Sequence, residues 1–478
     1  MSRTPLPQVL AARARDLIRS HVYRAGDRMP SVREFSRMHG VAVSTGVEAY
    51  RILEAEGLLQ ARPKSGYYVR LRQASSEPIA TEPVSIPAHY TRAEVLTAME
   101  RNRGLLHAMA FATPNPALLP TRRLAYITSR ILRDRPEEAM NYSHPAGLRE
   151  LREHIAQRMV LAGVAVSPDD LVLTNGCQEA MALALRATCE PGSTVLVESP
   201  CFYGVLQLMQ VLGYRCVPLK TDPHLGLSLE WTEATLRRLK EDGERVRALV
   251  VVPNFHNPLG SQMPDTRKAQ LVELAARYNL ILIEDDAYGE LAFSDHRPRL
   301  IRAFDPEGAV LSCGSFSKTL APGFRVGWVA AGRWRTAIEQ LKLALSLCNP
   351  SMTHLALADY LDSGFYDGLL RKSRRVYREH THLMRQHILT HFPVGTRVST
   401  PAGGFVLWVQ LPAGFDSVAA YNEAVQAGIG FTPGTLFSTD DTYRNCLRLS
   451  AATWNETVAA AVRRLGHLVA SQTAASRN

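Results

Sequence analysis

Short, unbroken apolar runs that end in polar residues recur through the larger part of this chain. They are LVLTN (171–175), TVLVES (194–199), ALVVVPN (248–254), LILIEDD (280–286) and AVLSCGS (309–315). Runs of this kind predict strands buried on both faces, as in a largely parallel sheet covered by helices, and most of the intervening segments are long enough for a helix. Ligands in such sheets collect beyond the C-terminal strand ends, so the polar residues closing these runs are where a site is to be sought.

The first 70 residues follow another pattern. Leu10, Ala14, Leu17 and Ile18 share one face of a predicted first helix. Ser31 with Glu34 three residues on is a capping-box signature and predicts a second helix, with Val32, Phe35 and Met38 turned inward and Gly40 ending it. A third helix is predicted from about Ser44 to Glu56, burying Ala49, Ile52 and Leu53. Residues 58–70 then form a hairpin around Pro63-Lys64-Ser65-Gly66. Between these regions, QASSEPIATEPVSIP (73–87) carries three prolines and almost no large apolar residue, a linker composition. The predicted organisation is an N-terminal domain over 1–72, a linker over 73–100 and a large α/β domain over 101–478.

Charge sharpens this division. Of a formal net charge of +10, residues 1–72 hold +7, with 13 Lys and Arg against 6 Asp and Glu, and the remaining 406 residues hold +3. A basic module on a nearly neutral body is the footprint of a polyanion binder. No apolar run approaches the roughly 18 residues that span a bilayer. The N-terminus has no apolar signal region, and the seven cysteines show neither CxxC pairing nor zinc spacing. A cytoplasmic chain with reduced thiols, without metal or membrane partner, is the expectation.

Helix, helix-turn-helix and hairpin is the order of a winged helix-turn-helix, mainly α with a small β wing. The text GDRMPSVREFSRMHG, AYRILEAEGLL and SGYYV resembles the GntR-type DNA-binding domain over essentially all 70 residues. The resemblance implies that the third helix enters the major groove of double-stranded DNA, turning Ser44, Thr45 and Glu48 toward the bases. Ser31, Arg33, Arg51, Arg62, Lys64 and the Gly66 backbone would contact the DNA, the arginines, Lys64 and Gly66 through phosphates, which position without specifying. Where relatives read G-V-S-R-x-T-V, this chain has Gly40-Val41-Ala42-Val43-Ser44-Thr45-Gly46, so the usual cap serine and the usual arginine are absent.

In the large region, GSFSKTLAPGFRVGW (314–328) places Lys318 after a buried strand, with Ser315 and Ser317 before it and Arg325 seven residues after. Asp285 and Tyr288 in LIEDDAYGEL, Asn257 in VPNFHNPLG, a Gly-containing turn in LTNGCQEA and an aromatic pair in ESPCFYG occur in the same chain, with GGFVLW and LRLSAAT closing the series. This ordered set is similar to the fold-type I pyridoxal-phosphate (PLP) enzymes, close to the branch that includes kynurenine and aromatic aminotransferases, from about Phe111 to Ala452. The resemblance implies a mostly parallel sheet, a smaller C-terminal α/β subdomain and bound PLP. Lys318 would hold the cofactor's aldehyde as a Schiff base and move protons. Asp285 would pair with the pyridinium nitrogen; Asn257 and Tyr288 would bond the ring oxygen, and Phe202 rather than Tyr203 would stack on the ring. The phosphate would be held by the N–H groups of Gly176 and Cys177, by Ser315 and Ser317, and by Arg325. Tyr142 matches a tyrosine that reaches the neighbouring subunit's phosphate, which implies a dimer. Arg448 matches the arginine that grips an α-carboxylate, which implies an amino acid or similar small amine as effector or substrate. His256, beside Asn257, reads as a packing residue.

A GntR-type head, a linker and an aminotransferase-like body together look like the MocR family of regulators, whose members tend to be head-to-tail homodimers. Two readings of the fusion remain open on sequence: a transcription regulator that senses PLP and an amine ligand, or an aminotransferase carrying an accessory DNA module. A regulator also needs a lysine able to exchange one imine for another, so the retained catalytic set does not separate them; the basic head favours the regulator.

Overall fold

The computed structural model describes residues 5–20, 22–24, 26–63, 65–70, 91–104, 109–440 and 442–475. It divides into two compact units, Met1–Glu82 and Pro83–Asn478.

The smaller unit holds helices α1 (Leu6–Arg19), α2 (Val32–Met38) and α3 (Val43–Ala55), then the antiparallel strands β1 (Leu59–Arg62) and β2 (Gly66–Val69). Its core joins Leu10, Ala11, Ala14, Phe35, Ala49, Tyr50 and Leu53 to Leu59 and Val69 of the hairpin. Ser31 Oγ accepts the Glu34 N–H at 3.2 Å and so starts α2. Met38, predicted to face inward, is 67% exposed. The reason is length: α2 ends at Met38, and the ring of His39 packs on Phe35 at 4.4 Å instead. Tyr50, which the periodicity did not single out, is buried and donates its hydroxyl to the Pro30 carbonyl at 2.9 Å, tying α3 to the turn that leads into α2. The substituted cap has a visible consequence, because Ala42 provides no side-chain hydrogen bond at the start of α3.

In the larger unit a helix, α4 (Arg92–Arg101), falls inside the segment read as linker. Thr91 and Glu94 form a complete capping box, and Val95, Ala98 and Met99 are buried in the C-terminal core, so the linker assignment over 92–100 is corrected. The signal was present in the sequence as T-x-x-E before an apolar face.

Five apolar runs become β3 (Leu171–Thr174), β4 (Thr194–Ser199), β7 (Val246–Val251), β8 (Ile281–Asp285) and β9 (Val310–Ser315). Three strands lie among them that the runs did not reveal: β5 (Arg215–Asp222), β6 (Gly226–Leu227) and β10 (Gly327–Ala330). The sheet order is β3-β10-β9-β8-β7-β4-β5-β6. Neighbours from β9 through β8, β7 and β4 to β5 are parallel, whereas β10 runs antiparallel between β3 and β9. Apolar clusters cover both faces of this sheet, one around Val172, Val197 and Ile283 and another around Leu196, Leu249 and Leu282. A second, antiparallel sheet, β11 (Arg397–Val398), β12 (Val406–Gln410), β14 (Cys446–Ser450) and β13 (Thr432–Pro433) in that order, builds the smaller C-terminal subdomain with its own core. All seven cysteines are free thiols. Among the described residues no helix is long and apolar enough to cross a membrane.

Candidate functional site

The sheet topology gathers the candidate residues at one edge. Because β3, β4, β7, β8 and β9 point the same way, their C-terminal ends share that edge, and β10 begins there because it runs in reverse. Asp285 is the last residue of β8, and Lys318 follows β9 by three residues. Arg325 precedes β10 by two, and Gly176-Cys177 opens the helix Cys177–Thr188 just after β3. A cavity of about 170 Å³ opens there, lined by Cys177, Phe202, Asn257, Asp285, Tyr288, Ser315, Ser317, Lys318 and Arg325. Gln178, Met181, Val252 and Ala287 complete its wall and were not foreseen. Gln178 follows the Gly-containing turn in sequence and donates to the Gly204 carbonyl at 2.7 Å, securing the segment that carries Phe202. Phe202 lines the cavity; Tyr203 stands behind it at 4.7 Å between ring centres.

The electrostatics of the cavity are uneven. Asp285 Oδ1 accepts the Cys177 thiol at 3.3 Å and the Ala287 N–H at 3.0 Å. Burial nevertheless pushes its carboxyl above the usual range, with the thiol, the N–H and the Lys318 charge pulling the other way. Lys318 donates to the Ala112 carbonyl at 2.7 Å. Loss of hydration, followed by the positive charge of Arg448, pushes its ammonium down to about 8, against the pull of Asp285. Two polar atoms are buried with no partner among the described residues, the Tyr288 hydroxyl and Asn257 Oδ1. Burial drives the Tyr288 phenol well above its ordinary value, so it is a neutral donor.

The other end of the cavity gathers hydrogen-bond donors. Gly176 has φ +85° and caps a helix whose first N–H groups are free of intrahelical partners. A Cβ at this position would lie 2.2 Å from Nη2 of Arg325. Arg325 donates to Ser317 Oγ at 3.0 Å and to the Asn175 carbonyl at 3.1 Å. Ser315 Oγ accepts the Ser317 N–H at 3.4 Å.

Besides Gly176, two candidates lie off this wall. Arg448, in β14, is fully buried and donates through Nη2 to the Ala110 carbonyl and to Thr432 Oγ1, both at 2.7 Å. Its Nε and Nη1 meet no acceptor among the described residues. Tyr142 is 84% exposed and stands outside the cavity, on a separate open cleft with Ser143, His144 and Arg149.

In the smaller unit Ser44, Glu48 and Arg51 are exposed at i, i+4, i+7 spacing on α3, with Thr45 half-buried beside them. Arg51 stands 3.8 Å from Glu48. Ser31 and Arg33 are exposed at the start of α2, Gly66 opens β2, and Arg62 lies over the Tyr68 ring at 4.2 Å. Lys64 lies outside the described residues.

Comparison with known proteins fits both units. The gntR family of bacterial regulatory proteins matches residues 6–69, and class I and II aminotransferases match residues 118–465. The chain is 38% identical over 469 residues to the HTH-type transcriptional regulator YjiR of Escherichia coli, covering 97% of this chain and 98% of that one. It is 36% identical to YdcR of the same organism with the same coverage. Among solved structures, the alpha-aminoadipate aminotransferase LysN of Thermus thermophilus, complexed with N-(5'-phosphopyridoxyl)-L-leucine, superposes with a TM-score of 0.74 at 31% identity. The match covers 81% of this chain and 98% of that one. The kynurenine aminotransferase of Pyrococcus horikoshii superposes with a TM-score of 0.74 at 30% identity, covering 80% and 95%. A head matching one family and a body matching the other, joined in one chain and aligned along nearly its whole length with such regulators, make this protein a member of the MocR-type transcription regulators.

Proposed function

We propose that this regulator binds PLP in the large domain and changes its DNA affinity when the cofactor meets an amino acid or a similar amine. The observation that carries the reading is the pairing, within one cavity, of Lys318 with Asp285, beside two buried polar atoms, Tyr288 hydroxyl and Asn257 Oδ1, that lack partners among the described residues. Partnerless buried polar atoms occur elsewhere in the chain too, and it is the placing of these two in a cavity wall that supports a ligand there. The cradle of Gly176, Cys177, Ser315, Ser317 and Arg325 suits a phosphate dianion in the same way.

PLP supplies an aldehyde for amine capture and an electron-withdrawing ring. Around it the chain's own groups divide the work. Lys318 Nζ would be the amine that holds the aldehyde, since burial leaves much of it neutral near pH 8. Asp285 would keep the ring nitrogen protonated, Tyr288 and Asn257 would bond the ring oxygen, and Phe202 would cover one face. Arg448 offers two free donor groups to an α-carboxylate. Tyr142, exposed in the single chain, would reach the partner's phosphate in a head-to-tail dimer. The DNA-binding domain is 1–72: α3 enters the major groove with Ser44 and Thr45 toward bases, while Ser31, Arg33, Arg51, Lys64 and Gly66 hold the backbone.

A second reading, an aminotransferase with an accessory DNA module, is favoured by one observation: the cavity retains lysine, aspartate and tyrosine together, with the carboxylate-ready Arg448 behind them. The same groups serve ligand exchange without turnover. Borohydride reduction of the purified yellow protein followed by peptide mapping tests the site. The expected result is one reduced adduct on Lys318, lost in Lys318→Ala; an adduct that survives that substitution refutes the assignment. Steady transamination over many turnovers, with no DNA footprint, would favour the enzyme.

A further inference from the structure

Behind the phosphate cradle lies a charged side chain that none of the roles above uses. Lys342, in the helix Arg335–Ser346, is fully buried. Its Nζ donates to the Pro145 carbonyl at 2.5 Å, the Leu173 carbonyl at 2.6 Å and Asn349 Oδ1 at 2.5 Å. All three ammonium donors are used. Asn349 passes the constraint on, donating through Nδ2 to Asn175 Oδ1 at 2.8 Å. The Asn175 carbonyl accepts Arg325 Nη2, and its N–H donates to Glu179, whose other oxygen accepts the Ser346 hydroxyl at 2.9 Å.

The chemistry fixes every orientation in this chain. An ammonium only donates, so Asn349 must turn its oxygen to Lys342 and its NH₂ to Asn175. Asn175 must then answer with its own oxygen. Its backbone is thereby held where the carbonyl receives Arg325 and where Gly176 and Cys177 follow with their N–H groups. The same hub reaches the segment that carries Tyr142: Pro145 accepts from Lys342 directly, and Ser143 Oγ donates to the Asn349 carbonyl at 3.2 Å.

We infer that Lys342, acting through Asn349 and Asn175, is the positioning residue for the phosphate-binding turn and Arg325. The inference rests on the proposed PLP site and adds to it a residue that touches no part of the cofactor. Its mark is selectivity: losing it weakens binding of the phosphate end and leaves the aldehyde and ring end intact.

The test compares dissociation constants for PLP and for pyridoxal, which lacks the phosphate, in the full-length chain. Wild type, Lys342→Met and Asn349→Asp are measured alongside each other. Asn349→Asp keeps an acceptor for Lys342, gives the buried ammonium a carboxylate where wild type has a neutral amide, and takes away the N–H that Asn175 Oδ1 receives. The expected result is a PLP affinity about tenfold or more weaker in both variants, the cost of one charge-assisted hydrogen bond, with pyridoxal affinity unchanged. If Lys342→Met does not fold, Asn349→Asp decides. Equal weakening for both ligands, or no weakening, overturns the inference and leaves the PLP site standing. Wild-type protein that binds neither ligand overturns both.

Discussion

Gly176 and Arg325 compete for one volume: a Cβ on Gly176 would stand 2.2 Å from Nη2 of Arg325. The guanidinium is held in place only because position 176 has no side chain, and the φ of +85° there adds a second reason for glycine. Gly176→Ala is expected to displace the guanidinium from Ser317 and Asn175. PLP affinity should fall about tenfold or more, the scale of one charge-assisted bond. Titration of the yellow absorbance with PLP measures it.

Lys318 sets a pH dependence. Its folded-state value is pushed down to about 8 from 10.5. Capture of PLP by the cofactor-free chain should therefore accelerate as pH rises through about 8, well below the range of an ordinary lysine. The same shift has a stability sign. Between 8 and 10.5 the folded state binds fewer protons than the unfolded one, so this group's contribution grows more favourable as pH rises through that window. Removing the neighbouring positive charge in Arg448→Gln should move the capture midpoint upward and abolish the response to amino acids. Stopped-flow absorbance across pH checks the first, and ligand titration the second.

Asp285 should trade stability for binding. Burial raises its carboxyl, so the ionised form is disfavoured in the empty fold, and this cost appears as pH rises through its ordinary value of 3.8. Asp285→Asn is expected to leave the cofactor-free protein at least as stable in urea at pH 7, while PLP binds more weakly and loses its partner for the ring nitrogen. Denaturation and PLP titration on the same sample report both.

The head contains a steric test of its own. A Cβ on Gly46 of α3 would stand 2.1 Å from Ser36 Oγ on α2, and that hydroxyl is buried with no partner among the described residues. Gly46→Ala should destabilise the domain by about 1–3 kcal/mol through overpacking. Ser36→Ala should cost little, and the double variant should lose less than the single one, a coupling that a double-mutant cycle on thermal unfolding will read.

Much of this was legible because burial on both faces demands unbroken apolar runs, which is why β3, β4, β7, β8 and β9 stood out, β3 included although it ends the sheet. The rest had physical reasons to hide. β5 lies toward the edge of the sheet with an interrupted burial pattern, and β10 is only four residues long, inside the segment that carries Lys318 and Arg325. The nine cavity-lining candidates could be named because the strand ends showed where to look and the resemblance to fold-type I PLP enzymes supplied the residues. Lys342 gave no such sign: a single lysine in KLALSL reads as a solvated position until Pro145 and Leu173, distant in sequence, and the nearby Asn349 close around it. Met38 and α4 show the converse, where a helix's end and its cap, rather than its periodicity, decide which residues are covered.

The most direct measurement is the affinity of the full-length protein for its own upstream DNA, located by footprinting. It is to be taken at fixed salt, without ligand, with PLP, and with PLP plus each of a panel of amino acids, for wild type and Lys318→Ala. The expected result is a change of about tenfold or more for wild type with PLP and at least one amino acid, a coupling of ordinary allosteric size. Lys318→Ala should bind the same DNA with one affinity under all conditions. Wild-type protein that takes up PLP yet holds DNA equally well throughout, or Lys318→Ala that still responds, would contradict regulation through this lysine.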